Sequence, residues 1–175
     1  MTVLVRPMQA ADLAAVFRIQ TFAYVPAMVE AEDVLAARLA AAPATAWVAE
    51  EGRQVIAYLA AYPSLAGRIS ALGHEFAVAD PANALYLHDM AVEPRHGGRG
   101  VASLLLDVAL DYARRQGWRY ACLVSVQSTQ TYWQRLGFAE FEDPDEDQRA
   151  KLGSYTGLAT YMYRELTGAI QSDQT

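Results

Sequence analysis

The chain has 175 residues, 53% hydrophobic and 19% charged, enough apolar material for one buried core and far from the composition of a disordered segment. Its net charge of −6 argues against wholesale binding to nucleic acid or an anionic membrane, and favours attraction of a small cation. The single cysteine, Cys122, excludes an internal disulfide, and its place in YACLVSV reads as core.

The opening MTVLVRPMQAADL lacks the long apolar stretch of a signal peptide, and no apolar run is long enough to span a bilayer, so a cytoplasmic location is expected. VLVRP (3–7) reads as a strand stopped by Pro7. Asp12 then caps a helix, LAAVFRIQTFAY, with Leu13, Val16, Phe17 and Phe22 mostly at helical spacing. After Pro26, EAEDVLAARLAAA (30–42) forms a second helix, with acids near its start and Pro43 beyond its end. TAWVAEE and QVIAYLAAY flank Gly52 and Arg53 and make a hairpin. Residues 64–83, punctuated by Gly67, Gly73 and Pro81, read as a loop long enough to serve function.

ALYLHDMAV (84–92) is the next strand. GVASLLLDVALDYARRQG follows as a helix with Val101, Leu104, Leu105, Val108 and Tyr112 on one face and Gly117 at its end. YACLVSV is a strand, STQTYWQRLG a short helix and FAEFE a further strand. The acidic EDPDEDQ reads as a solvated loop, and ATYMYREL (159–166) as the last strand. Residues 1–168 are thus expected to form one α/β domain ahead of a polar tail at 169–175. The strand, helix, strand unit over 84–126 is a parallel crossover.

The helix of that crossover opens on EPRHGGRGVA. A helix N-terminus presents unpaired N–H groups and partial positive charge, and glycines at 97, 98 and 100 would let a pyrophosphate approach them, with Arg95 and Arg99 adding local charge. The same glycines also serve as a flexible turn after Pro94. Neither the dinucleotide fingerprint nor the P-loop fits the spacing.

HDMAVEPRHGGRGVASLLL resembles the acetyl-CoA-binding motif of the GNAT superfamily of acyltransferases: a strand, V-x-P, then R/Q-x-x-G-x-G/A leading into a helix. Val92, Pro94, Gly98, Gly100 and Ala102 stand in register with it. YWQRLGF (132–138) resembles the family's Y-x-x-L-G-F on the short helix after the next strand. The order of elements is similar over nearly the whole chain. The resemblance implies a mixed, mostly antiparallel central sheet with one parallel β-α-β crossover and helices on both faces. It also implies acetyl-CoA as cosubstrate, held by Met90, Ala91, Val92, Arg95, Gly97, Gly98, Arg99, Gly100, Val101, Ala102 and Trp133, with no metal. Two positions depart from the pattern. Gly97 stands where the family has Arg or Gln, so Arg95 or Arg99 would supply the charge. Trp133 stands where a tyrosine often acts as general acid, leaving Tyr132, one residue earlier and about 100° around the helix, as the candidate acid.

Acetyl transfer to an amine needs a deprotonated nucleophile, and an ammonium with a pKa near ~10.4 costs about 4.6 kcal/mol to deprotonate at neutral pH. Strand alternation places Tyr86, His88, Met90 and Val92 on one face and Leu87, Asp89 and Ala91 on the other. His88 is the candidate base by its ordinary pKa, and LHDMAV is similar to the strand of arylalkylamine acetyltransferases, where a histidine relays the proton. A structural His88, with Asp89 facing the site, is the other reading. Tyr24, Glu30 and Glu32, with Tyr155, Tyr161 and Tyr163, are candidates for the acceptor side. The expected activity is N-acetylation of a small-molecule primary amine, with protein N-terminal or lysine acetylation and an acyl-CoA-binding sensor as alternatives, and a homodimer left open.

Overall fold

The computed structural model describes residues 2–166; the polar tail expected at 169–175 lies outside the described residues. Seven strands make one sheet: β1 (Val3–Pro7), β2 (Ala46–Glu51), β3 (Gln54–Ser64), β4 (Ala84–Val92), β5 (Tyr120–Ser125), β6 (Ala139–Glu140) and β7 (Thr160–Glu165). Their order is β1-β2-β3-β4-β5-β7-β6, and only β4 and β5 run parallel. The parallel pair is the expected crossover, joined by α3 (Val101–Arg115). The other helices are α1 (Leu13–Ala23), α2 (Glu32–Ala41), α4 (Gln130–Arg135) and α5 (Glu146–Leu152).

Helices cover both faces of the sheet. On one face α3 buries Val101, Leu105, Leu106, Ala109, Leu110 and Ala113 against Leu59, Leu85, Leu87 and Leu123. The stripe is rotated from the expected one, and Leu104 is 44% exposed. On the other face Val16 and Ile19 of α1 and Leu35 of α2 pack on Val48 and Tyr58. Beside them lies an aromatic patch of Tyr62, Phe76, Tyr86 and Tyr161. Asp12 does not cap α1 with its side chain. It accepts from Gln9 N–H at 2.8 Å and pairs with Arg6, which holds its carboxyl below the usual carboxylate range. The stretch expected as an acidic loop is partly helical, because Asp145 accepts the Gln148 N–H and so caps α5.

Two irregularities of β4 shape the site. Its parallel pairing stops at Leu87 opposite Leu123, while β4 runs on to Val92, so the strands part beyond that point. Toward β3 the register runs Met90 opposite Leu59, Asp89 opposite Ala60, then Leu87 opposite Ala61. His88 is therefore the extra residue of a β-bulge. The bulge overturns the expected alternation: Leu87, Met90 and Val92 pack on the α3 side, whereas Tyr86, Asp89 and Ala91 all belong to the opposite side.

Candidate functional site

A cavity of about 350 Å³ opens where β4 and β5 part. Its floor is β4 from Leu87 to Val92. One end is lined by Ala102 at the start of α3, Val126, Gln127 and Thr129 after β5, and Tyr132 and Trp133 of α4. The other end is lined by Tyr24 and Met28 after α1, by Glu30, by Leu72 of the loop 65–83, and by Tyr155. Tyr132 and Trp133 both reach the cavity although they are adjacent on a helix, because α4 lies across its mouth. Trp133 packs edge-on against Phe138 at 5.5 Å and so forms a rigid wall. The Tyr132 ring is 39% exposed, and partial burial raises its phenol pKa, so it stays protonated at neutral pH.

The glycine-rich loop leads from β4 into α3 through a single helical turn at Pro94–His96. Gly98 and Gly100 have φ of +73° and +78°, and a Cβ at either would meet nothing within 4 Å, so the space beside both is open. Among the described residues, the N–H groups of Gly98, Arg99 and Gly100 donate to no backbone oxygen. They and the first N–H groups of α3 fit a pyrophosphate. Arg99 forms two hydrogen bonds to Glu51, at 2.7 and 3.2 Å, which raise its pKa and lower that of Glu51; Arg95 Nε lies 2.9 Å from Glu93.

At the acceptor end the charges divide into a neutralised pair and a single anion. Arg38 of α2, buried to 2% exposure, donates from both terminal nitrogens to the Glu30 carboxylate and from Nε and Nη2 to His74 O at 3.0 and 2.7 Å. Gly73 N–H donates to the same Glu30 at 2.9 Å. Glu30 is thereby committed to Arg38, and Glu32 is exposed on α2, so neither is the free ammonium receptor that the sequence suggested. Tyr161 is likewise committed, its hydroxyl accepting from Gly67 N–H.

Asp89 is different. Its carboxylate accepts from Tyr24 at 2.7 Å and from Tyr58 at 2.6 Å, and among the described residues no basic side chain pairs with it. Burial, then the Asp89 charge, pushes both phenols well above the ordinary tyrosine pKa, so they remain donors. Asp89 lines the cavity one residue before Met90, whose carbonyl lies 3.1 Å from the same Tyr24 hydroxyl.

His88 sits between Tyr86 and Phe76, its side chain 3% exposed, with Nε2 3.6 Å from Glu30 and Nδ1 buried without a partner. Burial, with the Arg38 charge, pushes its pKa down to about 3. Burial thus makes this imidazole a weaker base than a free one. Asp89 facing the site was the second reading of the strand, placed behind His88 because a bulge leaves no mark in the alternation. Arg38 and Tyr58 were missed, each sitting in a segment that reads as ordinary helix or strand.

The chain matches the acetyltransferase (GNAT) family over residues 13–138. No curated protein matches it significantly. Among solved structures it is similar in fold to the ribosomal-protein-S18-alanine N-acetyltransferase from Escherichia coli, with a TM-score of 0.68 and 15% identity over 99% of this chain and 100% of that one. It is similar to the PaiA N-acetyltransferase from Thermoplasma acidophilum in complex with coenzyme A, with a TM-score of 0.68 and 11% identity over 94% of this chain and 99% of that one. A third likeness is to the GphF GNAT-like decarboxylase in complex with isobutyryl-CoA, with a TM-score of 0.74 and 17% identity over 93% and 99%. With the parted strands, the open glycine loop and a family match across most of its length, the chain belongs to the GNAT acetyltransferase family and is an acetyl-CoA-dependent acetyltransferase.

Proposed function

We infer that the acceptor is the primary amine of a small molecule, which attacks the acetyl group directly in a ternary complex. The observation that carries this reading is the cavity of about 350 Å³, in which the space between the parted strands meets an acceptor end roofed by Leu72 and Tyr155. That volume lies in the range of small-molecule sites, and the loop that forms the roof is tied down on both sides: Gly73 N–H to Glu30, and Leu72 N–H to Ser154 Oγ at 2.9 Å.

Bound acetyl-CoA supplies the thioester that the amine attacks. The N–H groups of Gly98 to Ala102 cradle its pyrophosphate, with Gly97 bringing the chain into the turn and Val101 anchoring the helix in the core. Phosphate binding rests on main chain, since Arg95 and Arg99 are engaged by carboxylates. The strand edge at Met90, Ala91 and Val92 holds the pantetheine arm, and Trp133 walls it. Asp89 receives the acceptor as an ammonium and holds its nitrogen at the acceptor end of the cavity. Tyr132 is the proton donor to the departing sulfur.

Thiol release with acetyl-CoA, measured across small amines, N-terminal peptides and lysine peptides, tests the reading. Turnover should be highest with a small amine. Turnover confined to peptides overturns it in favour of protein acetylation, and tight acetyl-CoA binding without amine-dependent release overturns it in favour of a sensor.

A further inference from the structure

The charge inventory of the cavity narrows the acceptor further. Among the residues that line it there is no lysine or arginine, and the lining imidazole, His88, is uncharged at neutral pH. Glu30, one of the two lining carboxylates, is neutralised by Arg38. The Arg38 guanidinium cannot turn to a ligand, because its nitrogens are committed to Glu30 and His74 O and its plane lies over Phe76 at 5.0 Å. The other carboxylate, Asp89, has no ion-pair partner among the described residues, although the Arg38 charge already paired with Glu30 also acts on it, and Tyr24 and Tyr58 fix its orientation. Around it the acceptor wall is apolar or aromatic: Tyr24, Met28, Leu72 and Tyr155. The Tyr155 hydroxyl is occupied by Ser70 O at 2.7 Å and the Tyr24 hydroxyl by Asp89, so both present mainly ring to a ligand.

The geometry points to a monocationic amine with an apolar or aromatic body and no carboxylate as the substrate class of this enzyme. This rests on the small-molecule reading above. A carboxylate on the acceptor would be buried without a positive partner, and a second ammonium would lack a second anion. Both leave a charge unpaired in a low-dielectric site. A single ammonium meets Asp89, and its apolar body meets the side chains of Met28 and Leu72 and the two tyrosine rings.

Matched probes decide it with the intact enzyme. At saturating acetyl-CoA, kcat/KM should be about tenfold or more higher for phenethylamine than for phenylalanine, which adds a carboxylate, and than for putrescine, which exchanges the ring for a second ammonium. Equal or better turnover of phenylalanine or putrescine overturns the substrate class while leaving small-amine acetylation standing. Turnover of none of the three, with peptides acetylated, overturns both. Calorimetry adds a readout independent of chemistry: phenethylamine should bind at least about tenfold tighter than phenethyl alcohol, and Asp89→Asn should erase that preference. A preference that survives Asp89→Asn refutes Asp89 as the counter-charge.

Discussion

His88 offers a test in which stability and catalysis give separate answers. Its pKa drops from 6.5 to about 3 on folding, because the ring is buried beside the Arg38 charge. Below pH 6.5 the unfolded chain binds a proton that the native chain refuses, so this group's contribution is fully present above that pH and is lost progressively as pH falls toward about 3. Between about pH 7 and about pH 5 the loss from this one imidazole is about 2 kcal/mol. His88→Phe removes the titration and keeps a ring between Tyr86 and Phe76, whose centroids lie 6.2 and 5.3 Å away. Urea denaturation of both proteins at the two pH values should show the variant losing about 2 kcal/mol less than the wild type. Parallel losses would refute the buried, neutral imidazole. At neutral pH the variant should also keep most of its turnover, and a drop of about a hundredfold would return the role of base to His88.

Further outcomes follow from the same site. Asp89→Asn should lower kcat/KM for the amine about a hundredfold in steady-state assays while leaving acetyl-CoA affinity unchanged, and retained turnover would refute Asp89 as the counter-charge of the acceptor. Tyr132→Phe should lower kcat about tenfold without moving KM for acetyl-CoA, since a thiol with a pKa near ~8.5 leaves largely unaided. Gly98→Ala, at φ +73°, should cost about 1 kcal/mol in denaturation midpoints but weaken acetyl-CoA binding at least tenfold by calorimetry, because its methyl enters the open side of the loop. Full affinity in that variant would refute the phosphate cradle.

The fold was legible wherever local periodicity and turn chemistry agree with the tertiary answer. The strands, the crossover and α1 to α4 lie where hydrophobic spacing, prolines and glycines put them. The glycine loop was legible because left-handed backbone restricts the residue type, and Gly98 and Gly100 occupy that region. The acceptor end was not, for two physical reasons. One added residue in β4 reverses which side chains share a face, and it is defined only by the register against β3. Glu30, a candidate for the acceptor side, and Arg38 are eight positions apart with nothing in the helical pattern to pair them; their burial depends on the loop 65–83 closing over them, as Arg38 reaching His74 shows. Asp145 shows a milder case, where acidic composition suggested solvent while the same residues suit the first turn of α5.

The loop 65–83 is held by its buried Ile69 and Phe76 side chains, which join the aromatic patch, and by hydrogen bonds to its main chain. Gly67, Ile69, Ser70, Leu72 and Gly73 offer N–H groups to Tyr161, Gln148, Tyr86, Ser154 and Glu30, while the carbonyls of Ser70 and His74 accept from Tyr155 and Arg38. The partners are side chains elsewhere in the protein. Leu72, whose N–H is held by Ser154 and which lines the acceptor end, can vary in size without unfastening that point, whereas Ile69 and Phe76 are fixed in the core. For evolution or for a protein engineer, Leu72 is an exchangeable part of the wall: acceptor choice can drift there while the acetyl-delivering half of the molecule stays untouched.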